Sequence, residues 1–288
     1  MIVPTFRSAS VTQPVTPPVI APFIDVAELD RLRAVSAAAV SARAAAPAAA
    51  PSASVANHHR RGSDVVIVDS RWYLDGRLGA DAYAEGHMPG AVFVDLDVWL
   101  ARAPSAEAGR HPLPEPDVFA RGMSELGIAD GDTVVVYDDA GGVIAARLAW
   151  MLRALGHEAA VLDGGLEAWQ REHPNEQLES GRSETDSEDV DSIDAVSQNQ
   201  APSLFTERPW PTALLATIDD TQSAAADGSA LVLDARTLDR YRGDNEPVDA
   251  RAGHIPGARS LSCRDNVGPA GELFAADTLL HRLTELGA

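Results

Sequence analysis

Gly86-His87-Met88-Pro89-Gly90-Ala91 returns later in the chain as Gly253-His254-Ile255-Pro256-Gly257-Ala258. Each hexapeptide lies downstream of an apolar run closing in Asp-x-Arg, first Val65 to Arg71 and then Leu231 to Arg236. A further pair of stretches, Ser124-Glu125-Leu126-Gly127 and Thr284-Glu285-Leu286-Gly287, extends the correspondence. The chain therefore reads as two copies of one unit, too long for a solenoid repeat and of domain size. Beyond Gly127 the first copy continues into an apolar run, Thr133 to Tyr137, then a Gly-bearing loop and a helix. The second copy reaches Gly287 with one residue left, so the expectation is a second unit truncated before those elements.

Composition narrows the chemistry. With 288 residues there is room for about two domains. Forty-three acidic residues against 23 basic ones, a formal net charge of -20, exclude a nucleic-acid backbone as partner, which requires clustered cations. All 23 basic residues are arginine, so neither a Walker lysine nor a lysine Schiff base is available. The single cysteine, Cys263, cannot form an intramolecular disulfide or a multi-cysteine zinc site and fits a reducing compartment. Pro4, Pro14, Pro17 and Pro18 interrupt the N-terminus, and Arg43, Pro47 and Pro51 interrupt the Ala-rich stretch that follows. Neither reads as a signal core or a membrane span, so a cytoplasmic protein without membrane attachment is expected.

Short apolar strands alternating with helices predict an α/β fold with a parallel sheet flanked by helices. Residues 1–22 are rich in Pro, Ser and Thr and are expected to be disordered. The first domain is placed at 23–174, with an Ala-rich insertion over 34–62. Its first helix is read over Ile24 to Leu32, with Asp25 as N-cap. Strands are expected at Asp64 to Asp69, Val92 to Val94, Thr133 to Tyr137 and Ala159 to Leu162. Helices are expected at Asp117 to Leu126, Val143 to Leu155 and Leu166 to Arg171. Residues 175–208 read as an acidic, self-repelling linker and 209–288 as the second domain. The readable elements of that domain are a helix over Leu214 to Ala225, a strand over Ala230 to Ala235, a turn at Pro256-Gly257, and a helix over Asp277 to Leu286. His58-His59-Arg60-Arg61 reads as a solvated linker end.

Three groups of residues, in this order, resemble the rhodanese-like sulfurtransferases of the tandem thiosulfate and 3-mercaptopyruvate type. They are Asp69-Ser70-Arg71 with the first hexapeptide; Leu162-Asp163-Gly164-Gly165-Leu166-Glu167-Ala168-Trp169; and Asp234-Ala235-Arg236, Arg240-Tyr241-Arg242-Gly243 and the second hexapeptide. The resemblance implies a cysteine thiolate, cradled by backbone N–H groups, that attacks the outer sulfur of thiosulfate, releases sulfite and passes the persulfide sulfur to cyanide or a thiol. No cofactor and no metal are implied. In the first copy the position of that cysteine is held by Asp138, in keeping with a family whose first domain is ordinarily inactive. In the second copy it falls about a dozen residues beyond Ala288, so no catalytic residue is expected within the chain.

Arg240 matches the family's donor-binding arginine and Asp234 the acid that ends the preceding strand; a guanidinium fork suits a sulfonate-like anion. The structural alternative for Arg240 is an ion pair with Asp239 or Asp244. Arg242 and Arg251 are weaker candidates. Cys263 reads as a small packing residue, although neighbouring Arg264 could lower its pKa. His87 and His254 read as turn histidines. Mercaptopyruvate-preferring members tend to carry arginine after the Glu-Pro that is here Glu246-Pro247, and this chain has Val248, which tilts the expected donor towards thiosulfate. The competing readings are a non-catalytic binding or regulatory module and an inactive gene fragment.

Overall fold

Strands β1 (Phe23–Ile24), β2 (Val65–Asp69), β3 (Val92–Phe93), β4 (Thr133–Tyr137) and β5 (Glu158–Leu162) make one parallel sheet in the order β1-β5-β4-β2-β3. The coordinates are a computed structural model, which describes residues 20–45, 64–181, 204–249 and 251–287. β4 lies at the centre because it is apolar on both faces. Val134 and Val136 enter one core cluster, and Val135 and Tyr137 enter the other, as the two-residue side-chain period demands. Helices α3 (Pro116–Glu125) and α4 (Ala145–Ala154) cover the first face with Phe119, Met123, Leu148 and Leu152. Helices α1 (Val26–Ala45) and α5 (Gly165–Glu172) cover the second with Leu29, Leu166 and Trp169. The short helix α2 (Gly79–Glu85) precedes the first hexapeptide.

The expected strands and helices of this unit are present, with three differences. The first helix does not stop at Leu32 but runs to Ala45, so residues 34–45 of the Ala-rich stretch are helical and residues 46–63 lie outside the described part. Alanine's high helix propensity carries the helix on after its apolar stripe ends. Asp25 caps it as expected, accepting from Glu28 N at 2.8 Å. Residues 20–22, placed within a disordered N-terminus, are tied to the sheet: Val161 N donates to Pro22 O and Arg153 to Ile20 O; residues 1–19 lie outside the described part.

The third difference concerns the acidic linker, both described ends of which are anchored on this unit. Leu178 packs on the core, and Glu179 pairs with His87 through two backbone hydrogen bonds. Phe205 is buried against Phe119 and His157; Trp210, just inside the stretch read as the second domain, also packs on this unit, its ring against Phe119 and its indole donating to Pro114 O. An apolar aromatic pair inside a polar stretch gives no periodic signal, and burial of such side chains is worth about 1.5–3 kcal/mol each.

The C-terminal segment holds α6 (Ile218–Asp227), β6 (Leu233–Asp234), α7 (Leu238–Arg242), β7 (Arg259–Ser260) and α8 (Ala276–Glu285), with β6 and β7 paired in parallel. α6 starts four residues later than Leu214, where Thr217 and Asp220 form a reciprocal capping box. The strand expected over Ala230 to Ala235 shrinks to two residues. Leu233 is exposed, and so are Ile218, Ile255 and Leu280. Among the described residues no helix is long and apolar enough to cross a membrane.

Candidate functional site at the sheet's carboxyl edge

The loop leaving β4 is built around Asp138, which is fully buried. Its Oδ1 accepts from Ala140 N at 2.9 Å and Gly142 N at 2.8 Å, and its Oδ2 from Ile144 N at 2.8 Å and Ala145 N at 2.9 Å. Four converging N–H groups at the mouth of α4 form an anion cradle, and here the protein's own carboxylate fills it. The Gly164-Gly165 pair brings the next crossover against this loop. A Cβ on Gly165 would stand 2.1 Å from Asp138 O, and its φ of 55° is a left-handed value. Leu166 N then donates to that same carbonyl.

The Asp-x-Arg and hexapeptide motifs lock together in the same way at both places. Arg71 grips Asp69 through Nε and Nη2 and gives Nη2 to Gly86 O at 2.8 Å. Arg236 grips Asp234 and gives Nη2 to Gly253 O at 2.6 Å. His87 stacks on Tyr83 and bonds its carbonyl at 2.8 Å; His254 stacks on Tyr241 and bonds its carbonyl at 2.7 Å. Tyr83 and Tyr241 donate to Ala91 O and Ala258 O. The positive φ of Gly90 and Gly257 makes each turn. Both histidines are thus turn residues. Asp234 is engaged by the Arg236 fork, whose bonds hold its carboxyl below the usual carboxylate range.

Arg240 leaves α7 into a cluster of carboxylates. Nη2 donates to Glu246 Oε1 at 2.7 Å and to Asp249 Oδ2 at 2.8 Å, and Nε to Glu246 Oε2 at 3.2 Å. Its partners are therefore Glu246 and Asp249, not Asp239 or Asp244. Those bonds, with further donors from the Asp249 and Val248 amides, pull the Glu246 carboxyl down to about 2. Glu246 is enclosed, whereas the Asp249 side chain is 41% exposed. A third arginine arrives from the N-terminal unit: Arg110 Nη2 lies 3.6 Å from Asp249 Oδ1. The loop carrying it is fixed from beneath by Arg147, which donates to Leu100 O and His111 O. Next to Arg110, His111 packs edge-on to Trp72 and points Nε2 at Asp97, 3.8 Å away. Burial pushes its pKa down, Asp97 opposing and Arg147 and Arg110 adding to the effect. Arg110 and His111 had no sequence signal, since they sit in an irregular loop and act across 139 residues or through a loop carbonyl; only the chain crossing could reveal them.

The C-terminal segment also touches the Asp138 loop. Leu273 N donates to Asp163 Oδ1 at 2.8 Å, Arg171 pairs with Glu272, and Val267 lies on Gly141. A cleft of about 240 Å³ remains between Asp139, Gly141 and Glu167 on one side and Arg264, Val267 and Gly268 on the other. Cys263 begins the 3-10 turn Cys263–Asn266 after β7, three residues into the stretch where the first motif has Leu96, and is partly buried. Arg242 and Arg251 are exposed. His58 to Arg61 lie outside the described residues.

The family model described as a rhodanese-like domain matches residues 52–172. The chain is similar to a probable 3-mercaptopyruvate sulfurtransferase of Pseudomonas aeruginosa, 36% identical over 227 residues that cover 77% of this chain and 74% of that protein. A putative thiosulfate sulfurtransferase, SseB, of Mycobacterium tuberculosis is 37% identical over 228 residues, covering 78% and 72%. Among solved structures, the 3-mercaptopyruvate enzyme SseA from Escherichia coli superposes with a TM-score of 0.62 at 30% identity, covering 78% of each chain.

Proposed function

Because the chain belongs to the rhodanese-like sulfurtransferases, we propose that the cluster around Arg240 is the seat of a small anionic sulfur donor, with thiosulfate favoured over mercaptopyruvate. The observation that carries this is the way Arg240 is held. Glu246 is enclosed and keeps the guanidinium in one orientation, while the more exposed Asp249 occupies the side an incoming anion would take. An anion that displaces Asp249 meets a preformed fork, with Arg110 facing it from the other unit. Asp234 acts one step back, fixing Arg236 beside the cluster. The preference for thiosulfate rests on Val248, which leaves no second guanidinium after Glu246-Pro247 for a carboxylate.

In the sulfur transfer itself, a cysteine thiolate attacks the outer sulfur of thiosulfate. The S–S bond breaks, sulfite leaves with the electron pair, and the persulfide sulfur then passes to a thiol or cyanide acceptor. The N-terminal unit is non-catalytic, because Asp138 fills its cradle and a carboxylate carries no sulfur. The single cysteine, Cys263, stands in the turn after β7 and not at the end of a strand facing an N–H cradle. The 288-residue chain is therefore expected to bind the donor without turning it over.

The test is thiosulfate binding followed at the arginine side-chain resonances, alongside thiocyanate formation with cyanide. Saturable binding lost in Arg240→Ala and strengthened in Asp249→Asn is expected, with no turnover in the parent chain or in Cys263→Ser. Turnover abolished by Cys263→Ser would overturn the assignment of the sulfur carrier, and unchanged binding in Arg240→Ala that of the donor seat.

A further inference from the structure

We infer that Arg110, contributed by the N-terminal unit, is a specificity-determining residue of the donor seat, favouring doubly charged sulfur donors over singly charged ones. The selectivity presupposes the seat proposed above at Arg240 and concerns the charge of what that seat holds. One carboxylate marks the geometry. Asp249 Oδ2 accepts from Arg240 Nη2 at 2.8 Å, while Asp249 Oδ1 lies 3.6 Å from Arg110 Nη2. Its two oxygens thus face guanidinium groups of the two units, and an anion that takes their place meets both.

The two arginines do different work there, because only one keeps a net charge once Asp249 has left. Arg236 is matched by Asp234 at 2.6 Å and Arg240 by the enclosed Glu246 at 2.7 Å. Arg240 therefore offers an oriented donor within a neutral pair. Among the described residues Asp249 is the one carboxylate within pairing distance of Arg110. With Asp249 displaced, the uncompensated positive charge sits on Arg110. Coulomb attraction to that charge scales with the charge of the anion, so a dianion gains from Arg110 about twice what a monoanion of the same shape gains.

The loop that carries Arg110 holds it in place. Ser105 and Gly109 exchange backbone hydrogen bonds of 3.0 and 2.9 Å immediately before it, and Gly109 makes the turn with a φ of 82°. Arg102 N donates to Pro112 O on the far side. From α4, Arg147 grips the same loop through Leu100 O at 2.7 Å and His111 O at 3.0 Å. A guanidinium placed in advance loses little freedom when the anion arrives. Burial lowers the pKa of the adjacent His111, Asp97 opposing and Arg147 and Arg110 adding to the effect, so at neutral pH the cation this loop presents is Arg110.

The probes are thiosulfate and methanethiosulfonate, in which a methyl group replaces one oxygen and one negative charge is lost. Both are titrated calorimetrically into the intact protein at low salt. Arg110→Gln should weaken thiosulfate about tenfold and methanethiosulfonate only about threefold, half the free energy. Arg110→Lys, which keeps the charge, should keep most of the discrimination between the two. Arg240→Ala should weaken both anions alike, since it removes the shared donor. Amide exchange in β2 and β4 should be the same in Arg110→Gln as in the parent, which reports an intact N-terminal unit. Equal weakening of both anions in Arg110→Gln, no weakening of either, or discrimination lost as fully in Arg110→Lys would overturn the role of Arg110 while leaving the seat standing. Binding of both anions unchanged in Arg240→Ala, or no saturable binding to the parent, would overturn the seat and the selectivity with it.

Discussion

The Tyr137 hydroxyl lies 2.7 Å from Asp69 Oδ2, on the carboxylate that also grips Arg71, and so joins the central strand to the fork and turn that shape the sheet's carboxyl edge. Replacing Tyr137 by Phe removes one donor from a buried carboxylate and leaves the Met88 N–H without its acceptor. A loss of about 1–3 kcal/mol is expected, the range for orphaning a buried polar group. Urea unfolding of Tyr137→Phe should show an earlier midpoint with an unchanged slope, because the exposed surface is the same. Burial, with the charge of Asp69 adding to it, pushes the Tyr137 hydroxyl well above its ordinary value, so tyrosinate absorbance from this residue should appear only on unfolding.

Asp138 presents a sharper case, since its two oxygens each accept from two amides. Asparagine keeps the shape but turns an NH2 group towards two N–H donors, and alanine empties the cradle. Both variants should lower stability, Asp138→Ala by about 1–3 kcal/mol for each amide that water fails to reach. Adding phosphate or thiosulfate should restore part of the Asp138→Ala loss by occupying the vacated cradle, raising its midpoint more than that of the parent protein, whose cradle is already filled. Thermal unfolding with and without the anion decides it; equal shifts in both proteins would mean that the cradle is not what the anion finds.

The N-terminal unit and the C-terminal segment should differ in local stability. Val66, Val68, Val134 and Val136 are buried within a five-stranded sheet, while β6 and β7 are a two-residue pair and, among the described residues, the C-terminal segment contributes only Ala258 and Ser262 to the buried set. Amides of β2, β4 and β5 are expected to exchange near the global unfolding limit and those of Leu233 and Asp234 far faster. Limited proteolysis should leave a core that retains residues 20–45, 64–181 and 204–210, wider than an end at 174 would give, because Leu178, Phe205 and Trp210 are packed on it. Equal protection in both parts would show that the C-terminal segment is held by contacts other than its own core.

Much of this was legible in the sequence where one residue pattern has one physical outcome. The apolar runs at Val65 and Thr133 can only be two-sided strands, and Gly127 and Gly156 end their helices through left-handed turns. The extension of α1 was not legible, because alanine and serine hide which face is buried. Phe205 and Trp210 sit among polar residues, and nothing local distinguishes a buried aromatic strap from a linker. At the site, Arg240 was found through its motif, but its neighbours depend on chain crossing: Asp249 lies nine residues away and Arg110 comes from the other unit. The Asp138 cradle was visible only as a residue type, since four amides converging on one carboxylate is a property of loop geometry.

The Arg240–Glu246 pair makes a pH signature with a definite sign. Glu246 is pulled from the ordinary 4.5 to about 2, first by the Arg240 guanidinium and then by the Asp249 and Val248 amides. A carboxyl whose folded value is depressed stabilises the folded form above its unfolded value; that contribution falls away as pH drops from about 4.5 through about 2. Carbon-13 titration of the Glu246 side chain should therefore find it ionised at pH 3.5, where an unpaired glutamate is mostly protonated. In Arg240→Ala the largest of these causes is gone, and the titration should move back towards the ordinary value. The stability difference between parent and Arg240→Ala should likewise be full at neutral pH, shrink through that window and vanish at its acid end. A difference that persists unchanged below pH 2 would mean that Arg240 supports the C-terminal segment by packing and not by its pairing with Glu246.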